Sequence, residues 1–288
     1  MRTPTFNIVR IIPPPEHPSH VHSRCFTDVA LVLRYGLEDL GYRVIFGSRL
    51  RTDCCNVVLG YHLLWGKPLP AGYDYIVYQL EQLAAGLDWQ ACFLDTLRSV
   101  PVIWDFSQEN IAFLAEHDIR AIHKPIGFHP RMFRVVPNPQ KDIDILFYGM
   151  VNERRKRILD ELSRRFRTKV LVGVYGDERD AWISRAKIVL DIHYYEARLF
   201  DEVRLTFLLN NRVFTIVENT PHRKYEDFIV YADYDDLVDT CEFYLAHDTL
   251  RQEAAQKAFC YFSKFPEHGF LRKALLESEC SPEPQLSS

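Results

Sequence analysis

The stretch that decides the fold runs from Asp142 to Thr220 and contains four short apolar segments. They are DIDILFYG (142–149), KVLVGVYG (169–176), IVLDIHYY (188–195) and VFTIVE (213–218). Helical patterns separate them at Val151–Phe166, Ala181–Lys187 and the nearly all-apolar Phe200–Asn210. Strands of this length that alternate with single helices predict a parallel sheet covered by helices on both faces.

The first half of the chain repeats this alternation less regularly. Strands are predicted at Asn7–Ile12, Tyr42–Phe46, Asn56–Gly60, Tyr73–Tyr78, Val100–Phe106 and Ile119–Ile126. Helices are predicted at Arg24–Leu40, Asp88–Arg98 and Ser107–His117. Gly41 is a typical helix-ending residue, and Ser107 is a typical N-cap. The pattern indicates a second doubly wound α/β domain.

A proline-rich, non-periodic segment, PRMFRVVPNPQK (130–141), separates the two halves. We therefore predict an N-terminal domain over 1–130, a linker over 131–141, a C-terminal domain with its terminal helix over 142–280, and a disordered polar tail over 281–288. The helices predicted after Thr220 are Tyr234–Ala246, Thr249–Phe262 and Gly269–Glu277, preceded by a short strand at Phe228–Tyr231.

Composition narrows the class of protein. The chain has 288 residues, of which 47% are hydrophobic and 26% charged, as in globular proteins. Its net charge of −4 argues weakly against a protein whose main partner is nucleic acid. No apolar run approaches the roughly 18 residues that span a bilayer, and the amino terminus does not resemble a secretory signal. We expect a cytoplasmic protein.

The cysteine pattern agrees with that location. The sequence has seven cysteines, an odd number, and no C-x-x-C pair. Reduced thiols are therefore expected. A structural zinc site would require paired Cys and His ligands at short spacing, and we predict no bound metal.

Polar residues gather where the strands of the second half end. Parallel sheets bind ligands outside the carboxyl ends of their strands, so these residues are the candidates for a binding site. They are Gly149, His193, Tyr194, Glu202, Arg204, Glu218 and Asn219. The set suits a sugar nucleotide, because it combines groups for phosphate, ribose and an aromatic base.

A run of four cations, Arg154–Arg157, opens the helix that follows the first of these strands. Cations there oppose the helix macrodipole, and a bound anion would offset that cost. We expect Arg154 or Arg155 to face the ligand. The alternative is a solvated face, in which Lys156 pairs with Asp160 four residues later.

The second unusual cation is Arg204, in the apolar helix that opens with Glu202. Burying a guanidinium group among leucines is costly without a partner. Glu202, Glu218 or a diphosphate would supply one, and an internal salt bridge is the structural alternative. Glu202 is also suited to accept hydrogen bonds from both hydroxyls of a ribose.

These segments carry a family resemblance. The runs FYGMVNERRKRILDEL (147–162), KIVLDIHYYE (187–196) and EVRLTFLLNNRVFTIVENT (202–220) resemble the donor-binding domain of GT-B glycosyltransferases. The resemblance implies two Rossmann-like, doubly wound domains that face each other across a cleft. The C-terminal domain then holds a nucleotide-diphosphate sugar, of UDP or GDP type, and the N-terminal domain holds a hydroxyl acceptor. That acceptor is a glycan, a lipid-linked glycan, a small molecule or, less in keeping with the charge, nucleic acid.

The chain departs from the E-x7-E pattern of many retaining members. Glu202 matches the second glutamate, but Tyr194 stands at the first position and Glu196 is displaced from it by two. This departure favours an inverting reaction. We expect no tightly bound metal, because Arg204 and a residue of the Arg154–Lys156 run would neutralise the leaving diphosphate.

An inverting transferase requires a base for the acceptor hydroxyl. The loop Glu16–Ser23 after the first strand carries His17, His20 and His22, and His20 is our preferred base, with His22 next. Glu81 and Asp105, which follow later strands, are further candidates, and Asp105 is equally suited to cap the next helix. Plain loop histidines and a metal site remain alternatives for the loop.

Two D-x-D triplets, at Asp142–Asp144 and Asp233–Asp235, are interpreted as structural, because one opens a strand and the other a helix. Three other functions remain open. They are a sugar-nucleotide epimerase, a non-catalytic nucleotide-sugar-binding protein, and a phage-type DNA glucosyltransferase.

Overall fold

The computed structural model describes residues 4–83, 90–195 and 198–278. The start of the helix predicted from Asp88, residues Glu196 and Cys280, and the predicted tail Ser281–Ser288 lie outside these ranges. The chain divides into two compact units. The first comprises Met1–His129 and Phe265–Ser288, and the second comprises Pro130–Lys264. The prediction of an α/β fold with two parallel sheets is confirmed.

The described residues of the first unit form a six-stranded parallel sheet of order β2-β1-β3-β4-β5-β6. Its strands are β1 (Thr5–Arg10), β2 (Arg43–Gly47), β3 (Cys55–Leu59), β4 (Tyr75–Gln79), β5 (Val102–Asp105) and β6 (Ile122–His123). The order reverses between β1 and β3, which marks the position where such sheets bind ligands. The central strands are buried on both faces and largely apolar, as a sheet covered by helices requires.

The second unit contains a five-stranded parallel sheet of order β11-β10-β9-β7-β8 within the described residues. Its strands are β7 (Ile143–Tyr148), β8 (Thr168–Leu171), β9 (Ala186–Asp191), β10 (Thr215–Glu218) and β11 (Val230–Ala232). The chain leaves β7 for β8 on one side and returns to β9 on the other. The topological switch point therefore lies between the carboxyl ends of β7 and β9.

Helices connect the strands of both sheets or follow the last strand. They are α1 (Phe26–Asp39), α2 (Gln90–Leu97), α3 (Gln108–Glu116), α4 (Glu153–Arg165), α5 (Asp177–Arg185), α6 (Glu202–Asn210), α7 (Leu237–Ala246), α8 (Asp248–Phe262) and α9 (Glu267–Glu277). Gly41, at φ +84°, follows α1, and the Ser107 hydroxyl caps α3 by accepting a hydrogen bond from the Asn110 N–H at 3.2 Å, both as predicted. Within the described part of the chain, no helix combines the length and apolar content needed to cross a membrane.

The terminal helix α9 packs in the first unit, whereas the sequence assigned it to the C-terminal domain. Leu271 and Leu275 are buried, and Gly36 of α1 leaves the space that Glu267 and Leu271 occupy. The Glu267 carboxylate forms a fully buried ion pair with Lys124 and accepts a hydrogen bond from the Gly127 N–H at 2.6 Å. These contacts join residues far apart in sequence, so no local pattern signals them.

The predicted linker also differs from the structure. The backbone N–H groups of Arg134 and Val135 both donate to Asn211 Oδ1, at 2.6 and 2.8 Å, and Val135 is buried. The first part of the segment is therefore anchored to the end of α6 within the second unit. The segment is irregular, and its buried residues are Met132 and Val135, whereas Pro137 and Pro139 are exposed.

Several predicted strands are shorter in the structure. The predicted strand Ile119–Ile126 is reduced to β6, and β8 ends at Leu171, before Gly173 at φ +72°. Strand β9 ends at Asp191, because the His193 N–H donates to the Glu218 carboxylate at 2.9 Å instead of to a neighbouring strand. Because β9 ends at Asp191, residues Ile192–Tyr194 lie outside the strand, at the carboxyl edge of the sheet.

Candidate functional site

The candidate site lies at the switch point of the second sheet. Gly149 follows β7, Asp191 ends β9, and the amino ends of α4 and α6 bring Arg155 and Arg204 to the same edge. Three of these four residues, Gly149, Arg155 and Arg204, were predicted. The fourth, Asp191, was not, because a single acid at the end of an apolar strand has no distinctive sequence signal.

Gly149 makes room for the two guanidinium groups. Its φ of +132° is a conformation that side chains rarely adopt. A Cβ atom built at this position would lie 2.9 Å from Arg204 Nη2 and 3.7 Å from Arg155 Nη1. The absence of a side chain therefore lets both cations meet directly above the end of β7.

Arg155 is a buried cation without a carboxylate partner among the described residues. Its side chain is held by backbone carbonyls. Nε donates to the Ile192 carbonyl at 2.8 Å, and Nη1 donates to the Met150 carbonyl at 2.7 Å. Burial, together with repulsion from Arg204, lowers the pKa of Arg155 to about 10. The positive charge is thus held where it is destabilised, although Asp191 and Asp201 partly offset this effect.

Arg204 pairs with Asp191, and this corrects the predicted partners Glu202 and Glu218. Arg204 Nη1 donates to Asp191 Oδ1 at 2.6 Å, and Nε lies 3.5 Å from Asp201 Oδ2. The guanidinium carbon also lies 5.0 Å from the centre of the Tyr148 ring. Burial alone lowers the pKa of Arg204, but the Asp191 and Asp201 carboxylates reverse this and raise it above its ordinary value.

Arg154 pairs instead with Glu218 at the end of β10. One of its nitrogens, Nη1, donates to Glu218 Oε2 at 2.6 Å, and the other donates to Oε1. Its guanidinium carbon lies 4.1 Å from the centre of the Tyr234 ring. Glu218 is buried and also accepts the His193 N–H. The Arg154–Glu218 pair therefore ties α4 to β10.

Glu202 is buried at the start of α6, and Lys224 Nζ donates to its Oε2 at 3.0 Å. A ribose that binds to this carboxylate must share it with Lys224 or displace that residue. The sequence did not indicate Lys224, since it lies in the irregular segment after β10.

Two of the predicted residues are accessible at the rim. Tyr194 is 40% exposed, and its ring centre lies 5.1 Å from the Arg155 guanidinium carbon. Asn219 Nδ2 donates to Asp233 Oδ1 at 2.6 Å, and Asn219 Oδ1 accepts a hydrogen bond from Arg223 Nε at 2.7 Å. His193 is buried, with Nε2 3.1 Å from the Glu218 carbonyl. Of these three residues, Tyr194 presents the largest surface to a ligand.

The alternative interpretation of the Arg154–Arg157 run, a face exposed to solvent, is correct for Lys156. Lys156 Nζ donates to Asp160 Oδ2 at 2.5 Å, and both side chains are more than half exposed.

The first D-x-D triplet lies at the amino end of β7, opposite the candidate site. There Asp142 pairs with Arg185, and Asp144 pairs with Arg167 and Lys187. Asp233 receives the hydrogen bond from Asn219.

In the first unit, the predicted histidine loop follows β1 at the switch point of its sheet. His20 Nδ1 lies 2.7 Å from the Pro13 carbonyl, a contact that fixes the proton on Nδ1 and leaves Nε2 as a proton acceptor. His17 Nδ1 accepts the Ser19 N–H at 3.1 Å. His22 is half-buried and begins the short 3₁₀ helix His22–Cys25. The described residues contain no cluster of three or more His, Cys, Asp or Glu side chains arranged to hold a metal ion.

The two acids proposed as further bases occupy different environments. Asp105 is fully buried and accepts hydrogen bonds from the Ser107 N–H at 2.8 Å and Gln79 Nε2 at 3.0 Å. This arrangement favours the structural role that the sequence also allowed. Glu81 is half-buried, and its Oε1 lies 3.4 Å from His62 Nε2.

His62 is a candidate that the sequence analysis missed. It follows β3, at the same edge of the sheet as the histidine loop, and burial lowers its pKa while Glu81 opposes that shift. A neutral imidazole next to a carboxylate is a suitable acceptor of a proton. Its sequence context, YHLLW (61–65), gave no signal beyond a single histidine in an apolar run.

Comparison with known proteins identifies the fold. No family model matches the chain. Uncharacterized protein R358 of Acanthamoeba polyphaga mimivirus is 32% identical over 146 residues, which are 48% of this chain and 51% of that protein. Uncharacterized protein L140 of the same virus is 27% identical over 150 residues, 48% of this chain and 49% of that protein. The chain therefore spans about half the length of these two relatives.

Solved structures match nearly the whole chain at low identity. An alpha-glucosyltransferase in complex with UDP and a 13-mer DNA has a TM-score of 0.65 at 11% identity, covering 96% of this chain and 100% of that one. Anabaena HepE in complex with UDP-glucose has 0.63 at 8%, with the same coverage. AviGT4, a glycosyltransferase involved in avilamycin A biosynthesis, has 0.60 at 15%, covering 96% and 97%. The chain thus has the α/β fold of GT-B glycosyltransferases.

Proposed function

We propose that this protein is a glycosyltransferase that moves a sugar from a nucleotide-diphosphate sugar to a hydroxyl acceptor. The observation that carries the proposal is the pair of guanidinium groups above Gly149 at the switch point, the buried Arg155 and Arg204, whose side chain is 12% exposed. Arg155 has no carboxylate partner in the described residues and a lowered pKa. A bound anion supplies the charged hydrogen-bond partner that Arg155 lacks among the described residues.

A diphosphate is the anion that best fits this geometry. Guanidinium groups bind phosphate oxygens through paired N–H donors, and the adjacent amino end of α4 favours negative charge. The two cations also stabilise the charge that develops on a leaving diphosphate, the service that a metal ion gives in other transferases. The proposed reaction is therefore independent of a bound metal.

The remaining rim residues are assigned by their chemistry. Tyr194 is exposed enough to stack on a nucleotide base. Asn219 is assigned to sugar hydroxyls, and Glu202 to the ribose once Lys224 moves, whereas the buried Glu218 is assigned to structure. His193 and Arg154 support these groups through their contacts with Glu218. The fold shared with structures that contain UDP or UDP-glucose supports a nucleotide sugar as the ligand.

The first unit supplies the base that deprotonates the acceptor in this proposal. His20 is preferred, since its Nδ1 contact with the Pro13 carbonyl leaves Nε2 ready to accept a proton. His62, next to Glu81, is a second candidate. His22, in the same loop, is the next candidate, and Asp105 is assigned to structure.

The proposal is tested by binding and then by turnover. We expect UDP- or GDP-sugars to raise the melting temperature, because a ligand at about 100 times its dissociation constant adds about 2.7 kcal/mol to stability. Arg155→Met removes the uncompensated charge but keeps the stem, so it should abolish this shift. Arg185→Ala removes a guanidinium group at the opposite end of the sheet and should leave it unchanged.

Turnover separates the proposed function from its rivals. A transferase releases free nucleoside diphosphate in the presence of an acceptor, and chelation of divalent cations should leave the rate unchanged. His20→Gln should lower kcat while the affinity for the donor stays the same. Interconversion of sugars without release of diphosphate would indicate an epimerase. Binding without turnover on any acceptor, including DNA, would indicate a non-catalytic protein, and absence of binding would refute the proposal.

A further inference from the structure

The proposed diphosphate site already contains an anion, the carboxylate of Asp191. Asp191 is almost fully buried at the end of β9, and its Oδ1 accepts the hydrogen bond from Arg204 Nη1 at 2.6 Å. Its second oxygen, Oδ2, is buried and has no hydrogen-bond partner in the described structure. Half of a buried carboxylate is thus left unsatisfied at the position where two cations converge.

The groups around Asp191 come from every element at the switch point. Arg155 of α4 and Arg204 of α6 are positive, and Asp201, just before α6, is negative. His193 lies two residues beyond Asp191, and the Tyr148 hydroxyl of β7 and Tyr231 of β11 also interact with the carboxylate. Two cations therefore face two carboxylates, and the site approaches neutrality without any ligand.

We infer that Asp191 is an internal counter-ion that competes with the diphosphate for Arg204, so that the ligand binds together with a proton taken up by Asp191. The inference rests on the proposed function for the identity of the anion. It adds that the charge of Asp191 sets the affinity for that anion. Without ligand, Asp191 holds the Arg204 guanidinium in position. When the diphosphate arrives, the two anions share that guanidinium only if one of them is neutralised.

The protonation step balances simply. A proton from solvent binds to the unpartnered Oδ2 of Asp191, and the resulting O–H donates to a phosphate oxygen. Burial already raises the pKa of Asp191, although Arg204 opposes the shift, and an additional negative charge nearby raises it further. Without ligand, Oδ2 is an acceptor that receives no hydrogen bond. Once it is protonated, its O–H donates a hydrogen bond to the phosphate oxygen.

The test uses the whole protein and inorganic pyrophosphate as the probe, with UDP in parallel. We expect Asp191→Asn to bind pyrophosphate about tenfold more tightly than the wild type at about pH 7.5, the size of effect that one nearby like charge has on an ionisable group. The matched control is Asp144→Asn, which removes a carboxylate paired with Arg167 and Lys187 at the other end of β7 and should bind like the wild type.

Calorimetry in buffers of different ionisation enthalpy supplies the second measurement. The wild type and Asp144→Asn should take up a proton on binding that Asp191→Asn does not take up. The pyrophosphate changes its own protonation equally in each titration at one pH. The difference in proton uptake between the proteins therefore reports on Asp191. If Asp191→Asn fails to fold, Asp191→Ser, which also lacks the carboxylate, takes its place in the same comparison.

The inference is overturned if Asp191→Asn binds pyrophosphate no more tightly than the wild type, or if the wild type takes up no more protons on binding than that variant. Its failure is distinct from that of the proposed function. Tight pyrophosphate binding by Asp191→Asn, with no binding of any nucleotide sugar by the wild type, would support the counter-ion and refute the glycosyltransferase.

Discussion

At the scale of single residues, the site depends on where charge is compensated and where it is not. Arg154 has Glu218 and Arg204 has Asp191, but Arg155 has only backbone carbonyls among the described residues. An ion pair that is already complete contributes mainly to structure, since removing one partner leaves a buried charge. The uncompensated cation is therefore the better indicator of a ligand.

Gly149 gives the first prediction at this scale. Gly149→Ala should lower stability by about 1–3 kcal/mol, because the residue has a positive φ and the new Cβ would lie 2.9 Å from Arg204 Nη2. It should also abolish nucleotide binding by displacing that guanidinium. Denaturant unfolding and calorimetry measure the two effects.

The control is Gly176→Ala, at φ +64° in the same unit, where an added Cβ would meet nothing within 4 Å. That variant should lose stability through backbone strain and still bind nucleotide. Equal loss of binding in both variants would show that Gly149 acts through general strain rather than through Arg204.

At the scale of elements, the amino end of α4 connects the helix to the loop after β9. Asn152 Oδ1 accepts the Arg155 N–H at 3.0 Å, and its Nδ2 donates to the Tyr194 carbonyl at 3.0 Å. One side chain therefore caps the helix that carries Arg154 and Arg155 and also positions the rim residue Tyr194. The N-cap thus contributes to the site as well as to the helix.

Asn152→Ala should lower the free energy of unfolding by about 1 kcal/mol, the usual cost of losing an N-cap, and it should weaken nucleotide binding. Ser107→Ala removes the corresponding cap of α3 in the first unit, so its cost should be similar but without an effect on nucleotide affinity. An affinity for nucleotide that Asn152→Ala leaves unchanged would contradict the positioning role of this cap.

At the scale of the whole molecule, the chain returns to its first unit through α9. The Lys124–Glu267 pair, with both side chains fully buried, joins residues 143 positions apart. Tyr78 donates its hydroxyl to the Lys124 carbonyl at 2.6 Å, and Trp104 Nε1 donates to Ser278 Oγ at 2.9 Å. The first unit therefore depends on the C-terminal end of the described chain for its stability.

Lys124→Met should destabilise the protein by about 3–5 kcal/mol, because it leaves the Glu267 carboxylate buried without its cation. The double variant Lys124→Met/Glu267→Gln should recover most of that loss, since no buried charge remains. A double-mutant cycle from denaturant unfolding measures the coupling. Additive losses would show that the two side chains act independently.

The sequence by itself determined the elements, because apolar periodicity and capping residues act over a few neighbouring positions. The strand VFTIVE, the helix 151–166 with Ile158 and Leu162 buried, and the Ser107 cap were all predicted within a few residues. The order of alternation was sufficient to predict two parallel sheets, and hence the edge at which polar residues gather.

Only the tertiary structure decided which charges meet. The pairing of Arg204 with Asp191, of Glu202 with Lys224 and of Lys124 with Glu267 joins residues 13, 22 and 143 positions apart. Coulomb and hydrogen-bond energies depend on separation in space and on burial, and neither follows from separation along the chain. For the same reason, local sequence could propose Arg155 as a ligand contact but could not show that it is the cation left without a partner among the described residues.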